Sequence, residues 1–121
     1  MRVDSSITFD KAFKFAIRIV DLYKYLCENK KEYVLSKQIL RCGTSIGANI
    51  SEASKAQSKK DFVSKYYIAF KEAAETEYWI KLLIATTYID EQTGNSLLLD
   101  ISEILKLLHS SIKTAKQTLS N

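Results

Sequence analysis

The chain has 121 residues, 46% hydrophobic and 26% charged, enough for one domain with a real core and neither disordered nor fibrous in composition. It holds no proline and only three glycines, which excludes the turn-rich sandwiches and barrels and leaves an all-helical domain. The net charge of +4 is unevenly spread: residues 1–71 carry 14 basic and 7 acidic side chains, residues 72–121 carry 4 and 7. Such asymmetry either marks a face for a polyanion or is an ordinary solvated surface.

No apolar run approaches the roughly 18 residues of a membrane span, and Met1-Arg2-Val3-Asp4-Ser5-Ser6 lacks a hydrophobic signal core. A cytoplasmic protein without a membrane partner is expected. Cys27 and Cys42 are too few for a disulfide framework and lack metal-ligand spacing, so they read as reduced, partly buried thiols.

The first periodic segment predicts a helix over about residues 8–28, with Phe9, Ala12, Phe13, Ala16, Ile19, Val20, Tyr23 and Leu26 on one wide apolar stripe. Phe15 and Leu22 fall off that stripe, and a monomer is expected to expose them. The second helix, about 34–54, repeats Leu35, Ile39, Cys42, Ile46, Ile50 and Ala53. Gly43 and Gly47 within it weaken the helix unless another backbone packs closely there.

Ser58 followed by Asp61 reads as an N-cap with an acidic first turn, opening a third helix over about 59–87 through Phe62, Tyr66, Ala69, Ala73, Thr76, Ile80 and Leu83. Asp90 caps a fourth, about 91–118, with Leu98, Ile101, Leu105, Leu108, Ile112, Ala115 and Leu119 in heptad spacing. Four such helices with short polar loops predict an antiparallel up-down-up-down four-helix bundle spanning the whole chain.

A di-metal bundle requires inward Glu-x-x-His pairs, and the single histidine, His109, follows Lys106 instead. Zinc sites fail on the same shortage, and no phosphate loop or nucleophile-histidine arrangement is present. No enzymatic activity, metal or cofactor is expected. Arg41, Ser45, Asn49 and Glu52 track along one side of the second helix, and Glu72 and Glu75 sit on the third. They form either a structural polar network linking helices or subunits, or a carboxylate pair for acid/base work, with the network favoured because nothing surrounds the glutamates with a pocket.

Lys55, Lys59, Lys60, Lys65 and Lys71 face a single acid, Asp61, and are interleaved with Phe62, Tyr66 and Tyr67. Lysines neutralise phosphates and aromatic rings stack on unpaired bases, the chemistry of a nonspecific nucleic-acid surface. Phe62 and Tyr66 belong to the core stripe, which leaves Tyr67 as the freer ring. Lys11, Lys14, Lys30 and Lys31 of the first half are expected to reinforce this group.

The run Arg41-Cys42-Gly43-Thr44-Ser45-Ile46-Gly47-Ala48-Asn49-Ile50-Ser51-Glu52-Ala53, continued by Ser58, Asp61, Phe62 and Lys65, resembles the motif of the four-helix-bundle family named for reading frames within intervening sequences of bacterial 23S rRNA genes. Ile68 to Ile80 is similar to that family's third helix, with Lys71-Glu72 where many members have Gly-Ser, and Ala53 stands where many have glycine. The resemblance implies a bundle that assembles into a homopentamer and carries a basic surface proposed to bind RNA or DNA. A related branch assists diversity-generating retroelements, contacting a reverse transcriptase and its RNA template, so a protein-interaction scaffold is the alternative reading.

Overall fold

The computed structural model describes the backbone of residues 3–120 and the side chains of residues 7–118. Among the described residues there are four α-helices and no strand: α1 (Val3–Lys30), α2 (Leu35–Ala53), α3 (Lys59–Ala85) and α4 (Glu91–Ser120). Each helix packs on its neighbours in sequence and α4 closes the ring onto α1, the backbones of the diagonal pairs staying apart among the described residues while side chains of all four helices share one core. This is the up-down-up-down bundle. No described helix is long and apolar enough to cross a membrane.

Local chemistry explains the ends. The Ser58 hydroxyl accepts the Asp61 amide at 3.1 Å, and an Asp90 carboxylate oxygen accepts the Thr93 amide at 2.7 Å, so α3 and α4 start where their caps predict. α2 has no side chain of its N-cap bonded, and Glu32 acts instead: its carboxylate accepts the amides of Ser36 at 2.7 Å and Val34 at 3.3 Å. α1 and α3 both end on a left-handed residue, Lys31 (φ 53) and Thr87 (φ 61), with the following amides turning back to Leu26 and Leu83. Glycine usually fills such a position. No glycine marks that position in the sequence, and α3 ends at Ala85, two residues before the expected 87.

The buried faces of α2 and α3 are the predicted ones, Leu35 and Phe62 being only half-buried. Gly43 lets α1 in: a Cβ there would lie 2.8 Å from Cγ2 of Ile19. Gly47 faces Ala12 at ordinary contact distance, and Gly94, in the first turn of α4, would collide with Ile84 of α3 if it carried a Cβ. The glycines thus serve packing within one chain.

Two stripes differ from expectation. On α1 the buried residues are Thr8, Ala12, Phe15, Ile19, Leu22 and Leu26, whereas Phe13 is 56% exposed. Phe15 and Leu22 are therefore core, not surface. Arg18 lies on the same flank, where it reaches Asp100 of α4, so Phe15 and Leu22 turn toward the α1–α4 seam. A helix at the corner of a bundle is buried over an arc centred between its two neighbours, and here that arc is displaced from the stripe containing most of the large apolar residues. On α4 the core runs through Leu97, Ile101, Ile104, Leu108, Ile112 and Ala115, with Leu98 and Leu105 half-buried against it. Leu119 lies outside the described side chains.

Replacing Ile104 with Ala is expected to cost about 2–5 kcal/mol of unfolding free energy, and Leu105→Ala less, read by thermal or urea denaturation. Thr87→Gly should raise stability by about 1 kcal/mol by relieving the left-handed backbone of a β-branched residue. Burial opposes the charge of Glu32, but the backbone amides of Ser36, Leu35 and Val34 outweigh it and hold its carboxyl below the ordinary 4.5. Hydrogen bonds from Thr93 likewise lower Asp90. Both contributions are present above the unfolded values and vanish as pH falls through the depressed folded ones, so the melting temperature should drop below about pH 4.5. Glu32→Ala should flatten that acid limb and cost about 1 kcal/mol near neutrality.

Candidate functional site

The polar motif of α2 sits on the flank that meets α3. The Arg41 guanidinium donates from Nη1 to Glu72 Oε2 at 3.1 Å and from Nη2 to Glu75 Oε2 at 2.6 Å. The same Glu75 oxygen accepts Trp79 Nε1–H at 3.1 Å, one turn further along α3. The Trp79 bond first, and Arg41 after it, hold the Glu75 carboxyl below its ordinary range, and Glu75 in turn raises Arg41. A carboxyl kept ionised in this way is a poor proton donor near neutrality and a weak base. The paired glutamates are thus an anchor for a guanidinium.

Glu52 pairs instead with Lys65 at 3.2 Å. Ser45 and Asn49 join neither pair: the Ser45 hydroxyl donates to the Arg41 carbonyl at 2.7 Å, and Asn49 Nδ2 donates to the Ser45 carbonyl at 2.8 Å. What the sequence read as a single network is two separate α2–α3 links with two residues back-bonded to their own helix between them. Cys42, buried beneath Arg41, has its thiol pushed up by burial, and Cys27 lies 3.7 Å from the Ser36 hydroxyl. Among the described residues no cluster of His, Cys, Asp or Glu is disposed to hold a metal ion.

The predicted lysine group is divided. Lys55, Lys59 and Lys60 lie exposed at the end of the bundle where α2 finishes and α3 begins. Lys30 and Lys31 close α1 at the opposite end, roughly 30 Å away along a 19-residue α2 at 1.5 Å per residue. They cannot contribute to the same patch. Lys11 is paired with Glu103 of α4 at 2.6 Å, Lys65 with Glu52, and Lys14 is exposed on α1. Lys71 is exposed on α3, its ammonium 5.9 Å above the Tyr67 ring, while Phe62 and Tyr66 stack on each other at 4.4 Å, Tyr66 wholly within the core.

The structure adds lysines that the linear reading passed over. The Phe70 ring lies 6.2 Å from the exposed His109, which fixes the register of α3 against α4 and brings the C-terminal half of α4 beside the start of α3. Lys106, Lys113 and Lys116, exposed on α4, so join Lys59, Lys60 and Lys71 on the outer α3–α4 face. Their sequence region is acidic on average, because α4 sorts its charges by side: Asp100 and Glu103 turn to α1 and bind Arg18 at 2.7 Å and Lys11 at 2.6 Å. The signal was present in the helical spacing of Lys106, His109, Lys113 and Lys116, but a net-charge sum over the segment conceals it.

The model of the 23S rRNA-intervening sequence protein family matches residues 5–110, almost all of the bundle. The chain belongs to that family. It is similar, at 56% identity and a TM-score of 0.90, to the crystal structure of a protein with unknown function from the S23 ribosomal protein family of Bacteroides thetaiotaomicron VPI-5482, with 92% of this chain and 99% of that one covered. No curated protein matches it. In this intervening-sequence protein the motif from Arg41 to Ala53 forms the C-terminal two thirds of α2, and its arginine reaches the two glutamates of the third-helix motif.

A half-open cleft of about 320 Å³ lies elsewhere, on the α1–α4 seam between Arg18, Asp21, Tyr25, Asp90, Thr93 and Leu97. It shares no residue with the Arg41 cluster or the α3–α4 face.

With 52% of the Arg41 side chain exposed in the single chain, Arg41→Ala should change unfolding free energy by at most about 1 kcal/mol. A loss of roughly 3–5 kcal/mol in the same denaturation experiment would mean that another chain covers the pair and leaves the glutamates desolvated.

Proposed function

We propose that this intervening-sequence protein is a non-enzymatic, oligomeric protein of the cytoplasm that binds RNA or DNA through the phosphates. The observation carrying this reading is the sorting of charge on α4. Its mid-helix acids Asp100 and Glu103 are neutralised along α1, whereas Lys59, Lys60, Lys71, Lys106 and Lys113 on the α3–α4 face are exposed and make no ion pair among the described residues. Such lysines remain available to displace counterions from a polyanion. Of the lysines read from sequence, Lys55, Lys59, Lys60 and Lys71 belong to this footprint, with Lys65 partly engaged by Glu52; Lys30 and Lys31 do not.

Self-association rests on a different feature from the one the sequence offered. With Phe15 and Leu22 inside the core, the apolar surface of α1 is Phe13 and Ile17, 56% and 50% exposed, beside half-buried Phe9, Ala16 and Val20. A stripe of this kind marks an interaction surface. Repetition of the subunit around a ring, of five copies as the family resemblance implies, would present several weak basic patches to one strand and multiply their affinity. The same stripe supports the second reading, a scaffold that docks on a protein partner such as a reverse transcriptase, with the lysines serving solubility.

Binding of a labelled oligonucleotide should weaken about 10²-fold between roughly 50 and 200 mM salt if about four phosphates are neutralised. Changing Lys59, Lys60 and Lys113 together to Glu should abolish binding and leave helicity intact. Salt-independent or absent binding by the parent protein favours the scaffold. Light scattering should return a mass several times 13.8 kDa, and Phe13→Asp with Ile17→Asp should reduce it to that of one chain.

A further inference from the structure

Lysines alone do not distinguish one nucleic acid from another, because every strand offers phosphates. The α3–α4 face carries something more selective. Tyr67, Lys71, Ala74 and Tyr78 follow one another at spacings of four, three and four, which places them on a single outer stripe of α3. Tyr67 is 51% exposed and Tyr78 59% exposed, although α3 has a core stripe available that holds Tyr66 at 1%. Lys71 reaches over the Tyr67 ring, and Tyr78 meets Trp79 edge-on at 5.2 Å, so each ring is steadied by a neighbour. Eleven residues separate the two tyrosines, roughly 16 Å along the helix, with Lys71 between them and the lysines of α4 alongside.

Resting on the nucleic-acid reading above, we infer that this face takes single-stranded rather than duplex nucleic acid, its phosphates lying along the lysines of α3 and α4 and unpaired bases stacking on Tyr67 and Tyr78. A duplex keeps its base faces against each other and offers an exposed ring only its backbone and groove edges. A single strand can splay a base onto each tyrosine, an interaction that tolerates any base because each has a π-face. The face therefore selects strandedness without selecting sequence.

The test is fluorescence anisotropy with the full chain, a labelled single-stranded RNA of about 20 nucleotides and mixed sequence, and the same RNA annealed to its complement. The parent should bind the single strand at least roughly tenfold more tightly than the duplex. Tyr67→Ala with Tyr78→Ala should lower single-strand affinity by roughly tenfold or more, leave duplex affinity within about twofold, and keep the circular dichroism of the parent. Tyr67→Phe with Tyr78→Phe, which retains both rings, should bind as the parent does. Equal parent affinity for the two RNAs, or an alanine double variant that holds the single strand as tightly as the parent, overturns this inference while phosphate binding by the lysines stands. Binding of neither RNA by the parent overturns both.

Discussion

Every helix in this bundle is shared by two neighbours, and the rest of the structure follows from how each one divides its surface between them. On α1 the buried arc centres on Ala12, Phe15, Ile19, Leu22 and Leu26, with Gly43 of α2 admitting Ile19 on one side and Arg18 crossing to Asp100 on the other. Because the interior is close-packed, a methyl group at Gly43 or Gly94 would meet a neighbouring isoleucine. The α1–α4 seam is the loosest of the four, bordered by the cleft and bridged by two exposed ion pairs that each contribute at most about 1 kcal/mol. Burial of Phe15 and Leu22, not those pairs, holds it shut.

The same division sorts the charges. Acids that face α1 from α4 find Lys11 and Arg18, acids that face α2 from α3 find Arg41, and Glu52 finds Lys65. On the α3–α4 side Lys59, Lys60 and Lys71 of α3 and Lys106 and Lys113 of α4 are exposed and make no ion pair among the described residues. Net charge summed along the sequence does not reveal how the charges are distributed over the helix flanks. Glu72 and Glu75 both bind the Arg41 guanidinium, Trp79 and Arg41 holding the Glu75 carboxyl below its ordinary range, and His109 lies against a phenylalanine at the surface.

The sequence determined the number of helices, their order, the N-caps of α3 and α4, and the core faces of α2 and α3. Those faces are strongly periodic, and Ser58 and Asp90 act through hydrogen bonds to amides only three residues away. The Arg41 motif was equally legible as a set of polar residues on one helix flank. Tertiary structure alone decided the rest. It chose between two overlapping stripes on α1, burying Thr8 and Phe15 while exposing Phe13, because the orientation of a helix is set by the neighbours on both sides and not by its own apolar content. It separated Ser45 and Asn49 from the arginine and glutamates, whose partners lie more than twenty residues away on α3. It also placed Lys30 and Lys31 at the opposite end of the bundle from Lys59 and Lys60 and brought Lys113 and Lys116 near them, since proximity along the chain and proximity across an antiparallel bundle are different relations, and only folding brings the end of α4 beside the beginning of α3.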